Sequence, residues 1–140
     1  MDCSGNVIIV GALGQDGVYL RRYLRKFNYK ILCINKRSSF IEFNGEIIKF
    51  LRPFKLTDSY TIFQHVKYFE PDYIYYLAAF HGSTEDRSKQ NKKDIFLDSH
   101  DIHVKGYLNF LDSASKLNKI IKIFYASSCL IYGDKLHCPV

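Results

Sequence analysis

Nowhere does the sequence run on for the ~20 apolar residues needed to cross a bilayer. The N-terminus also lacks the charged start, apolar centre and small-residue cleavage site of a secretory signal. Both absences predict a soluble, cytoplasmic protein with no membrane partner. CxxC pairs are missing too. Cys3, Cys33, Cys129 and Cys138 lie far apart, which argues against a zinc site or a disulfide framework and for reduced, mostly buried thiols. His65, His81, His100 and His137 show no ligand spacing with cysteines or carboxylates. His100 and His103, three apart on an expected helix, could offer two ligands but read better as solvated side chains, so no metal is expected. A single basic tract is absent as well, although the net charge is +6. Arg21, Arg22, Arg25 and Lys26 fall on one expected helix, and Lys89, Lys92 and Lys93 on a separate polar stretch. The first group reads as a solvated face, and nucleic acid is therefore not the favoured partner.

What is present is an ordinary globular composition, 47% hydrophobic and 24% charged, over 140 residues. Such a chain buries roughly two-thirds of its unfolded surface, enough for one real core. Apolar runs at Asn6–Val10, Lys30–Ile34, Glu46–Leu51, Asp72–Ala78 and Ile120–Ala126 read as strands. Between them, Gly14–Phe27 carries Val18, Leu20, Leu24 and Phe27 at helical spacing. Thr57–Phe69 reads as a helix capped by Thr57 or Asp58 and stopped by Pro71, and Asp94–Leu117 as a long helix weakly broken at Gly106. The aromatic residues, among them Tyr73, Tyr75, Tyr76, Phe124 and Tyr125, serve sheet and helix packing. Strands alternating with helices predict a parallel sheet with helices on both faces. The expected fold is a Rossmann-type, doubly wound α/β sheet of about five strands, forming one dinucleotide-binding domain over residues 1–140.

The decisive segment is Gly11-Ala12-Leu13-Gly14-Gln15-Asp16-Gly17, a G-x-x-G-x-x-G turn after a strand and opening a helix. Gly11 permits the tight turn, and Gly14 admits a phosphate to bare N–H groups. Gly17 brings the helix close to the sheet. The helix N-terminus adds roughly half a positive charge facing the pyrophosphate. No Gly-Lys-Ser/Thr follows, so this is not a P-loop. After the second strand an NAD site offers a carboxylate to the ribose 2′-hydroxyl, whereas an NADP site offers a cation to the 2′-phosphate. Here stands Asn35-Lys36-Arg37-Ser38-Ser39, without a carboxylate. Arg37 can pair with phosphate and Ser38 or Ser39 can donate a hydrogen bond, so NADP is expected, with NAD the alternative.

Taken together, the glycine turn, Leu77-Ala78-Ala79 at a strand end, and Ser127-Ser128-Cys129-Leu130-Ile131-Tyr132-Gly133 resemble the extended short-chain dehydrogenase/reductases. Within them the chain is similar to the nucleotide-sugar dehydratases and epimerases. Gly14-Gln15-Asp16-Gly17 and Lys36-Arg37-Ser38-Ser39-Phe40 look like the GDP-mannose 4,6-dehydratase branch. The resemblance implies that Gly11, Gly14, Gln15, Asp16 and Gly17 hold the pyrophosphate, and that Arg37 and Ser38 meet the 2′-phosphate. Leu56, Leu77, Ala78 and Ala79 would line the rest of the cofactor. Ser128 would bind the C4 oxygen of a nucleotide-sugar substrate as a catalytic residue, with Ser83 and Arg87 within reach of that substrate. It also implies a homo-oligomer through the helix near Asp94–Leu117.

The departures are specific. Lys55-Leu56 stands where the family has Asp-Leu, and a lysine cannot accept from the adenine amino group. His103 replaces a mid-helix asparagine, Val10 replaces the threonine that opens the turn, and the segment His81–Arg87 differs from the family's substrate loop. The family's proton-transferring Tyr-x-x-x-Lys does not follow Ser128. The chain is therefore expected to be a truncated, cofactor-binding portion that does not turn over a sugar alone. The alternative expectation is a non-catalytic NAD(P)-binding or sensing module.

Overall fold

The computed structural model describes residues 3–80 and 91–127. Six strands form one sheet in the order β4-β3-β2-β1-β5-β6. β1 (Gly5–Val10) runs through the centre, parallel to β2 (Tyr29–Ile34) on one side and to β5 (Tyr73–Tyr76) on the other, and β6 (Lys122–Tyr125) extends the parallel run beyond β5. Val7 to Val10 and Ile31 to Ile34 are all buried, because a central parallel strand is covered on both faces and alternation gives way to a continuous apolar run.

Each face of the sheet has its own core. Val7, Ile9, Ile31, Cys33 and Phe40 meet Leu20 and Leu24 of α1 (Gln15–Arg25). On the opposite face Ile8, Val10, Leu32, Ile34, Ile74 and Tyr76 meet Ile62, Val66 and Phe69 of α2 (Ser59–Phe69). Asp58 caps α2, its carboxylate accepting from the Thr61 N–H at 3.0 Å, and Glu70 in a left-handed conformation ends it. The same face carries α3 (Lys92–His100), a π-helical segment (Asp101–Gly106) and α4 (Tyr107–Ser115), which follow one another without a break. Phe110 and Ala114 bury the last of these. No helix among the described residues is long and apolar enough to cross a membrane. Cys33 is buried and its thiol is pushed up to about 12 by that burial, whereas Cys3 is exposed; Cys129 and Cys138 lie outside the described residues.

Three expectations need correction. The sheet has six strands rather than about five, and it is not wholly parallel. Ser39 opens a further strand, β3 (Ser39–Phe43), antiparallel to β2 and to β4 (Glu46–Leu51). The cause is Asn44-Gly45, both at positive φ (50° and 86°), the two-residue turn whose twist suits a tight hairpin. A parallel crossover needs a dozen or more residues, and the chain between β2 and β4 has no room for one. The long helix is not uniform either: its middle widens into the π segment, and Gly106 sits there against the Tyr76 hydroxyl, which donates to the Ile102 carbonyl.

Nor is the basic cluster of α1 one solvated face. Arg22 and Lys26 are exposed, but Arg21 and Arg25 turn inward onto Glu42 of β3, at 2.5 and 3.1 Å. Glu42 is 1% exposed, and Arg21 also covers the Phe40 ring at 5.0 Å. A carboxylate in so dry a place stands only because two guanidinium groups supply both charge and hydrogen bonds.

Candidate functional site

β1 and β5 end side by side at the carboxyl edge of the sheet, and the chain departs from them in opposite directions, towards β2 from one and towards β6 from the other. In an open α/β sheet this point of divergence leaves a crevice. Gly11 occupies it at φ +88°, where a Cβ would be strained and would lie 2.9 Å from the Ala78 nitrogen and 3.0 Å from the Leu77 carbonyl carbon. Its N–H donates to the Ile34 carbonyl at 2.8 Å, and the Leu77 N–H to the Val10 carbonyl at 2.8 Å. The turn is thus tied to both neighbouring strands.

Gly14 is the N-cap residue of α1, in extended conformation, with no side chain capping the helix. Gln15 and Asp16 form the exposed first turn, and Gly17 beneath them is buried. A Cβ on Gly14 would meet only the Gly11 oxygen, at 3.3 Å. One on Gly17 would strike the Gly11 oxygen and lie 2.7 Å from the Ala12 Cα. So Gly17 seats the helix on the turn, while Gly14 leaves the space above it open. Helix amides without a cap, an open approach and the positive end of α1 together fit an anion.

Asn35, the first residue after β2, was not singled out from the sequence. Its Oδ1 accepts from the Leu13 N–H at 2.7 Å and so holds the loop 36–38 beside the glycine turn. Its Nδ2 is buried and has no partner among the described residues. An orphaned amide donor costs about 1–3 kcal/mol, and an oxygen of a ribose or phosphate would satisfy it. The signal was an amide at the end of the second strand, where an NAD site carries a carboxylate. In the same loop Arg37 is exposed and Ser38 half-buried.

The remaining expected residues divide. Leu77 and Ala78 are half-buried at the crevice and Ala79 is exposed just beyond. Leu56 packs against the α2-side core beside Gly106, and its carbonyl accepts from Asn109 Nδ2 at 2.8 Å. Ser83, Arg87 and Ser128 lie outside the described residues, as do His81 and His137. His103 is engaged through both ring nitrogens: Nε2 accepts from the Phe80 N–H at 3.1 Å and Nδ1 meets the Tyr125 hydroxyl at 3.2 Å. The first bond requires an unprotonated Nε2, so the Nδ1–H donates to Tyr125. His100 instead stacks on Phe96. Among the described residues no group of three or more His, Cys, Asp and Glu could hold a metal ion. A cleft of about 270 Å³ between β4 and α2, lined by Lys49, Gln64, His65 and Tyr68 over Leu32 and Phe69, lies away from the turn, and burial holds His65 below the usual histidine value.

The profile of the NAD dependent epimerase/dehydratase family matches residues 7–139. UDP-glucose 4-epimerase of Mycoplasma genitalium is 29% identical over 139 residues, covering 91% of this chain and 37% of that protein. GDP-mannose 4,6 dehydratase 2 of Caenorhabditis elegans is 27% identical over 151 residues, covering 94% and 37%. The chain thus spans about 37% of the length of these curated relatives. Among solved structures, a UDP-glucose-4-epimerase from Stenotrophomonas maltophila with bound NAD superposes with a TM-score of 0.72 at 17% identity, over 97% of this chain and 40% of that one. Bordetella bronchiseptica WbmH in complex with NAD+ gives 0.70 at 19%, over 97% and 44%. At these identities the structures show the shared fold.

Proposed function

The chain belongs to the NAD dependent epimerase/dehydratase family, and from that premise we propose that it is the NADP-binding domain of a cytoplasmic nucleotide-sugar 4,6-dehydratase or epimerase. The observation that carries the reading is the Cβ-free turn at the sheet's point of divergence, with uncapped α1 amides above it and the orphaned Asn35 Nδ2 beside it. Gly11, Gly14, Gln15, Asp16 and Gly17 hold the pyrophosphate; Asn35 donates to an adjacent oxygen. Arg37 and Ser38 take the 2′-phosphate, and Leu77, Ala78 and Ala79 line the ribose and nicotinamide side. Leu56 lies towards the adenine. When bound, the nicotinamide supplies a hydride acceptor for sugar C4. The chain's own part is to orient that ring and exclude water; Ser128 binds the C4 oxygen, and Ser83 and Arg87 hold the nucleotide sugar. The helix 92–115, whose Phe96, Leu97, Val104 and Leu108 are exposed, supplies a contact between copies.

Two related proteins of the same fold carry NAD in their solved structures, so the 2′-phosphate is the point to test. Calorimetric titration of the chain is expected to show NADP bound more tightly than NAD. Arg37→Ala should weaken NADP about tenfold or more while leaving NAD unchanged, since a charge-assisted pair to phosphate contributes roughly 1.5–3 kcal/mol. Tighter binding of NAD, or equal losses for both, would overturn the assignment. A second reading, a non-catalytic sensing module, draws on Lys55 and His103: Lys55 is exposed and cannot accept from adenine, and His103 is committed to Phe80 and Tyr125. It forecasts dinucleotide binding that is indifferent to added nucleotide sugar.

A further inference from the structure

His103 lies in the π-helical segment and reaches two strand exits at once. Phe80, whose N–H it accepts, follows Leu77, Ala78 and Ala79, the strand end that Gly11 abuts at the crevice. Tyr125, which meets its Nδ1, is the last residue of β6. One half-buried ring therefore joins the exit of β5 to the exit of β6. Its place is fixed from below: a Cβ on Gly106 would strike the Tyr76 hydroxyl, and that hydroxyl donates to the carbonyl of Ile102, next to His103. Widened helical turns of this kind recur at functional sites.

We propose that His103 is a positioning residue: its neutral ring closes this wall of the crevice, and its protonation releases Phe80, so that dinucleotide binding weakens as pH falls. The inference rests on the dinucleotide reading of the crevice. Neutral, the ring donates at Nδ1 and accepts at Nε2, which suits the Tyr125 oxygen and the Phe80 N–H. Protonated, it donates at both. The Tyr125 hydroxyl still accepts, but at the other end two N–H groups confront each other across 3.1 Å and the strand end must move away. Imidazole is the side chain that makes this change between roughly pH 5 and 8. Its ionisable neighbours do not follow it. Tyr125, Tyr107 packed on that ring at 4.5 Å, and Tyr76 beside it are phenols, uncharged throughout the window. Asp101 and Lys105, on the same helical stretch as His103, are joined to each other at 2.7 Å. Residues 77–79 bring no ionisable group. The closed wall thus holds one proton fewer than the open one, and acid favours the open one. A dinucleotide lined by Leu77 and Ala78 selects the closed wall.

NAD is the probe for the test, because the 2′-phosphate of NADP itself titrates near about pH 6. Calorimetry of the full chain is expected to show the Kd for NAD rising about tenfold from about pH 7.5 to about pH 5.5. His103→Gln sets an amide oxygen in the place of Nε2, and that oxygen accepts at every pH. The variant should match wild type at the upper pH and keep its affinity at the lower one, a split that a merely structural ring would not produce. Nitrogen-15 NMR of wild type without nucleotide should find the His103 proton on Nδ1 at neutral pH. The Phe80 amide should shift with the same midpoint as the ring. NAD binding indifferent to pH, a pH response that survives in His103→Gln, or a ring proton on Nε2 would overturn the proposal. A chain that binds no NAD at any pH would overturn the dinucleotide reading instead, and the ring and amide signals would then decide the role of His103 by themselves.

Discussion

Gly14→Val will keep the fold and lose the dinucleotide, whereas Gly17→Ala, a smaller change three residues later, will cost the fold itself. Gly14 lies at φ −68° and ψ 167°, an extended conformation that a β-branched residue accepts, and its Cβ would meet only the Gly11 oxygen at 3.3 Å. The melting temperature of Gly14→Val should therefore fall far less than that of Gly17→Ala: a single contact needs only a few tenths of an ångström, against several that need much more. The valine methyls, however, fill the approach to the α1 amides. On the proposed reading, loss of two charge-assisted hydrogen bonds, roughly 3 kcal/mol together, should lower dinucleotide affinity more than about a hundredfold. At Gly17 an alanine would ordinarily stabilise a helix by about 1 kcal/mol. Here its Cβ strikes the Gly11 oxygen and lies 2.7 and 2.8 Å from Ala12 backbone atoms, none of which can turn aside. The helix must lift off the turn, at about 3 kcal/mol or more, and that outweighs the propensity gain. Thermal melts with calorimetry distinguish the two. Retained binding in Gly14→Val, or an unchanged melt in Gly17→Ala, would show the turn to be built otherwise.

Glu42→Gln is expected to lower the melting temperature by roughly 10 °C, the equivalent of about 3 kcal/mol in a chain of this size. The glutamine keeps the shape but leaves Arg21, 12% exposed, without an opposite charge. Arg25, at 36%, rehydrates, which keeps the loss at the lower end of the range for broken buried pairs. Burial by itself would raise the Glu42 carboxyl, but hydrogen bonds from Arg25 and Arg21 and their charges outweigh it and hold it below its ordinary value near 4.5. The unfolded carboxyl is the weaker acid, so the network stabilises fully above about pH 4.5 and the benefit fades as pH falls below that value. Urea unfolding of wild type and Glu42→Gln should accordingly differ at pH 7 and converge towards pH 3. A constant gap across that window would exclude the ion pair as its source.

The centre of the fold is legible in the sequence, and its margin is not. β1, β2 and the glycine turn declare themselves through local apolar runs and a spacing of three glycines. Asn44-Gly45 is a hairpin signal too, but Ser39-Phe40-Ile41-Glu42-Phe43 sets a glutamate where the core must be. Only Arg21 and Arg25, 21 and 17 residues earlier, make that position tolerable. No pattern within the segment carries that information. Asn35 is similar: it counts because Leu13, 22 residues away, donates to it. The π segment arises from the fit of Gly106 onto Tyr76, again a tertiary matter, and the same packing sets His103 between Phe80 and Tyr125.

The hairpin hangs from β2 by the loop 36–38, and β4 leaves most of its residues in water. β4 therefore frays at a lower free energy than the central strands, while β3 holds the hairpin in place through its buried side chains and Glu42. Arg37 and Ser38 keep their place beside the turn only while it is docked. Any phosphate they hold then acts as a latch by mass action, adding about 2.7 kcal/mol to closure at a hundredfold excess over its Kd. Thermodynamic reciprocity makes the latch work both ways: whatever holds the hairpin against β2 tightens the grip on the phosphate at the hinge.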